Sequence, residues 1–88
     1  MAAAQILSTG STAVDSADIT IAAGTPLTVG LKGVADGAAL VIIKLKDDAG
    51  AYNVVGSLAS GQPAAMIEAP GVYRFSRVAG GACGVFSA

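Results

Sequence analysis

The sequence predicts an all-β fold: a small β-sandwich or small barrel of about seven or eight short antiparallel strands, with an extended N-terminal arm. Three observations predict it. Apolar residues recur with period two over short stretches, and turn residues separate the stretches at intervals of about 8 to 12 positions. Glycine, present 12 times, interrupts nearly every window long enough to propagate a helix, including the alanine-rich start of the chain. With 88 residues, the chain buries only about 60% of its unfolded surface. That is too little to divide between two cores, so one sandwich domain is expected at 17–88, after an arm at 1–16.

Within the arm, 5–9 has the composition of a strand, whereas 8–16 is rich in small polar residues. Such a segment owns little core, so it is either ordered against a neighbouring molecule or frayed. Gln5, Ile6 and Leu7 are the residues through which the arm would touch a partner.

The strands then follow in order. Residues 18–21 place Ile19 and Ile21 on one face, with Asp18 and Thr20 on the other. In 25–32, Leu27, Val29 and Leu31 oppose Thr28, Gly30 and Lys32. Between them Ala23-Gly24-Thr25-Pro26 supplies a turn, because glycine accepts positive φ and proline presets φ, and the pair reads as a hairpin. Residues 39–46 place Val41, Ile43 and Leu45 on one face. Leu40, Ile42, Lys44 and Lys46 occupy the other, the pattern of a central strand whose outer face is apolar at one end and wet at the other. Asp47-Asp48-Ala49-Gly50 turns the chain into 52–57, a second hairpin. Strands at 64–68 and 72–78 flank Ala69-Pro70-Gly71, and a last strand at 83–86 follows Gly80-Gly81. Residues 19–29 and 67–78 share a faint pattern of apolar strand, Ala-Gly and apolar strand. It reads as two hairpins with similar turn chemistry.

Composition restricts function. The chain is 53% apolar but only 12% charged and 5% aromatic, whereas soluble domains carry about 25% charged residues. Much of the exterior is therefore expected to be covered by partners, copies of the chain among them. Cys83 is the sole cysteine and there is no histidine. Neither an internal disulfide nor an ordinary zinc or copper site can staple this small core, so neighbouring copies are the remaining source of buried area. Formal charge is −1, with Lys32, Lys44, Lys46, Arg74 and Arg77 balanced by six acids. A basic face for nucleic acid is not expected. The longest apolar run, 38–43, falls far short of the roughly 20 residues of a membrane span. The first residues lack the pattern of a signal peptide, so assembly in the cytoplasm is expected.

Catalysis is not expected either. General acid–base and nucleophilic chemistry need histidine or carboxylates in contrasting environments. Here Asp15, Asp18, Asp36, Asp47, Asp48 and Glu68 fall mostly at turns and strand ends, where solvated carboxylates accept from backbone amides. Asp47 and Asp48 lack the spacing of a calcium loop. The stretch Ala79-Gly80-Gly81-Ala82-Cys83-Gly84 lacks the lysine and following helix of a phosphate cradle and reads as a flexible turn. Cys83 has no base or metal partner in the sequence, which favours a small buried role. No cofactor is expected.

The most distinctive run is Ala69-Pro70-Gly71-Val72-Tyr73-Arg74-Phe75-Ser76-Arg77. Its alternate aromatics Tyr73 and Phe75 are either core anchors or an adhesive patch. Arg74 and Arg77 are arginines of the kind enriched at interfaces, and with Tyr73 they are the partner-binding candidates here.

Residues 17–24, the strand 41–46 with its Asp47-Asp48-Ala49-Gly50-Ala51-Tyr52 turn, and Ala69-Pro70-Gly71-Val72-Tyr73-Arg74 together resemble small structural proteins of tailed bacteriophages. The chain is similar to β-sandwich proteins that decorate or cement phage heads, and more loosely to small fibre-associated domains, although it is shorter than the longer decoration proteins. The resemblance implies a virion protein seated over junctions of the major capsid protein, stabilising the head through buried area multiplied over many sites. A low-copy tail, connector or fibre component is the other role it implies. The arm and an exposed strand edge would be the attachment devices.

Overall fold

The computed structural model describes residues 3–34 and 37–88. Asp36, read above as a turn acid, and the first two residues lie outside them. The described residues form nine strands and no helix: β1 (Ala4–Gly10), β2 (Val14–Asp15), β3 (Ile19–Ile21), β4 (Leu27–Lys32), β5 (Leu40–Lys46), β6 (Tyr52–Ala59), β7 (Ala64–Ile67), β8 (Gly71–Arg77) and β9 (Cys83–Ser87). A four-stranded sheet runs β1-β9-β4-β7. A five-stranded sheet runs β2-β8-β5-β6, with β3 also on β8. All pairings are antiparallel, and the whole is the small β-sandwich that the period-two pattern predicts.

The apolar faces read from the sequence meet between the sheets. Val29, Val41, Leu58, Phe75, Cys83 and Val85 are fully buried, and Leu7, Ile21, Ile43 and Tyr73 complete the centre of the core. At roughly 1.5–3 kcal/mol for each fully buried large side chain, these positions supply most of what holds the sheets together. Cys83 is a free thiol inside that core. As its outer-face pattern predicts, β5 is central, between β8 and β6.

The β5–β6 hairpin forms as expected. Asp47 shapes its turn by accepting from the backbone amides of Ala49 and Ala51, each at 2.9 Å, while Gly50 takes the left-handed φ of +86°.

The other expected hairpin does not form. At Ala23-Gly24 the turn is present, with the Thr25 amide donating to the Ala22 carbonyl at 3.1 Å and Gly24 at φ +78°. Yet β3 pairs with β8 in one sheet and β4 with β7 and β9 in the other. The five residues between β3 and β4 step across the roughly 10 Å that separate packed sheets, and Pro26 enters β4 without an N–H to donate. The Ala69-Pro70-Gly71 link makes the same crossing between β7 and β8. The two stretches that echo each other are therefore two corners, and they pair with one another, β3 on β8 and β4 on β7.

The N-terminal segment also departs from expectation. Instead of an arm outside the domain, its described residues give β1, paired with β9, and β2, paired with β8. Leu7 enters the core at 6% exposure. The reason lies in β9, whose second edge would otherwise stand open beside β4: β1 closes it. Gly84 permits the approach, because a Cβ there would stand 2.7 Å from the Leu7 carbonyl oxygen.

Candidate assembly surface

Three of the residues expected at a partner surface lie inside the chain. Tyr73 is 3% exposed and its hydroxyl donates to the Ala69 carbonyl at 2.8 Å. This places it in the core, where a large ring on the inner face of central β8 belongs. Arg77 is 5% exposed. Its guanidinium donates to the carbonyls of Thr12, Ser8 and Cys83 at 2.7, 2.7 and 2.8 Å, which suits a planar fork with five N–H groups. Leu7, as noted, is core. All three side chains are packed within the chain.

The remaining candidates lie nearer the surface. Gln5 accepts a hydrogen bond from the Lys32 ammonium. Ile6 is half-buried on β1, beside an apolar cleft of about 310 Å³ between β1, β3 and the 22–27 corner. Arg74 is engaged within the chain. It donates to Asp18 Oδ1 at 3.2 and 3.0 Å, and its guanidinium carbon lies 4.0 Å from the centre of the Tyr52 ring. The Tyr52 hydroxyl in turn donates to Asp18 at 2.8 Å. The cluster ties the outer surfaces of β8 and β6 to the segment between β2 and β3. The Tyr52 hydrogen bond, and then Arg74, hold the Asp18 carboxyl below its ordinary value.

The surface that sequence reasoning missed lies along the sheet edges formed by β6 and β7, away from β1, β2 and β3. Residues 49–67 contain no Asp, Glu, Lys or Arg, the longest such run in the chain at nineteen positions. It folds into β6, a tight turn and β7, which are the free edges of the two sheets on one side. Between these edges opens a cleft of about 530 Å³. Ile43, Ile67 and Tyr73 reach it from within, while Val55 and Met66 stand at its mouth, 53% and 59% exposed. Val54, at 67%, is the most exposed large apolar residue among those described. Glu68 borders the cleft with no hydrogen bond or ion pair among the described residues.

Edge strands are normally shielded by charge, proline, shortness or bulges, because their unpaired N–H and C=O groups invite another strand. By that standard β7 is protected, with four residues preceded by Pro63, and β2 and β3 are short. β1 is broken by two register shifts. By contrast β6 is eight residues long, uncharged and free of proline. It carries one bulge, at Val55 between the Ile43–Gly56 and Lys44–Val54 pairs, against two register shifts in β1, and Val54 and Val55 both stand exposed. The signal was present in the sequence as the missing charges of 49–67, but only the sheet order reveals that this run lies at an edge.

No family model, curated protein or solved structure matches the chain. Among the described residues there is no group of three or more Cys, His, Asp or Glu placed to hold a metal ion. The geometry offers contact: a bare strand edge, exposed valines and two clefts at the open sides of a sandwich.

Proposed function

We propose that this chain is a non-enzymatic structural protein of a virus particle, a capsid decoration or cement protein that binds over junctions of the major capsid protein and stabilises the head. The resemblance of 17–24, 41–52 and 69–74 to small phage proteins supports the virion setting. The assembly role rests above all on one observation, the β6–β7 side, uncharged from 49 to 67, with a long edge strand that carries only the Val55 bulge. Such a surface is a liability for a free monomer and an asset for a protein that works by adding buried area to a shell. In this reading the protein needs no cofactor. Its partners are the capsid protein, or other virion proteins, and its own copies.

The cementing role is tested by comparing the heat resistance of particles that carry the chain with particles stripped of it. Stripped particles are expected to release their genome at lower temperature and to regain resistance when purified protein is added back. Equal resistance with and without the chain would reject cementing.

A further inference from the structure

We infer that two copies of the chain pair antiparallel through β6 about a two-fold axis, joining their five-stranded sheets into one continuous sheet. This deepens the assembly reading and rests on it. The occupant of the β6 edge is argued to be a second copy because the strand is complementary to itself. A two-fold axis between Val55 and Gly56 sets Val55 against Gly56 of the second copy, and Val54 against Ser57, so each valine meets a small residue. The register also respects the pleat. Val54 opposes Lys44 and Ser57 opposes Ile42 on β5, which puts both on the outer face, as directly opposed residues of an antiparallel pair must be.

Charge selects the direction. The Asp47-Asp48 turn lies at the start of β6, and nothing charged lies at its end. An antiparallel pair holds the two acidic turns about 25 Å apart, the length of an eight-residue strand at roughly 3.3 Å per residue, whereas a parallel pair would set them side by side. Pairing spans 53–58, because the Ala59 backbone is already used by Gln62 in the turn that follows. It covers the two exposed valines and supplies partners for the outward N–H and C=O groups of the strand.

Sedimentation velocity on the full chain, at concentrations on the order of 100 µM so that a micromolar Kd would be saturated, reads this directly. The expected mass is twice the 8.5 kDa of one chain. Val54→Lys, at an exposed position, is expected to give a folded monomer with an unchanged far-UV spectrum. Combining it with Ser57→Glu places opposite charges across the axis twice and is expected to restore the dimer. A monomeric wild type, or a dimer indifferent to Val54→Lys, would overturn the pairing. Neither result touches the particle heat-resistance test, so the decoration reading stands or falls separately.

Discussion

At the scale of single residues, polar groups settle where each side chain ends up. The Tyr73 ring is buried, and its hydroxyl reaches the Ala69 carbonyl at the β7–β8 corner. Tyr73→Ala is therefore expected to cost about 3–5 kcal/mol and Tyr73→Phe about 1 kcal/mol, measured by urea denaturation. Equal losses for the two variants would show that the hydroxyl rather than the ring dominates. Asp18 carries a pH prediction. Its carboxyl is held below the ordinary 3.8, first by the Tyr52 hydrogen bond and then by Arg74. A group whose folded value is lowered contributes stability that is fully present above its unfolded value and lost as pH falls through the folded one. Melting temperature should thus drop below about pH 4, and Asp18→Asn should flatten part of that drop. Asp47 is lowered too, by Asn53 and then the turn amides, so a residual slope should survive in the variant. An unchanged acid limb in Asp18→Asn would remove the Asp18–Tyr52–Arg74 cluster from the account.

At the scale of elements, alternation of side chains made most strands legible. Ile19, Ile21, Val29 and Val41 were grouped on their apolar faces by spacing alone, and those faces turn inward; Phe75, open between core anchor and adhesive patch in the sequence, is fully buried. The β5–β6 hairpin was legible because Asp47 and Gly50 encode its turn locally. The corners at Ala23-Gly24 and Ala69-Pro70-Gly71 were not, since turn chemistry specifies that a chain reverses but not which sheet receives it. The N-terminal strand was obscured for a related reason: Gln5 to Thr9 is too short and mixed to show what it pairs with. Arg77 looked like an interface arginine because nothing local reveals three carbonyls contributed by residues 8, 12 and 83. These bonds fasten the β1–β2 crossing to β8 and β9. Arg77→Met should cost about 3 kcal/mol or more through the loss of charge-assisted bonds to buried carbonyls, and amide exchange should accelerate first along β1. A loss under about 1 kcal/mol would mean that the crossing is held by other contacts. Gly81, read as part of a flexible turn, is a packing position instead. It is buried against the Ala38–Ala39 backbone, where a Cβ would stand 2.2 Å from the Ala39 nitrogen.

At the scale of the whole molecule, the low charge content noted in the sequence is unevenly spread. Asp15, Asp18, Lys44, Lys46 and Arg74 gather on the outer side of the five-stranded sheet, and Asp47 and Asp48 cap its hairpin, while 49–67 is bare. The outer face over β5 and β8 is thereby suited to water and the β6–β7 edge to contact, an asymmetry that fits the proposed role. The most direct measurement of the proposed role is the copy number of this chain relative to the major capsid protein in purified particles, by quantitative mass spectrometry. The account predicts a near-stoichiometric ratio, one that repeats over the capsid lattice. A few copies per particle would contradict decoration and move the protein to a connector, tail or fibre, and its absence from particles would contradict the virion role altogether.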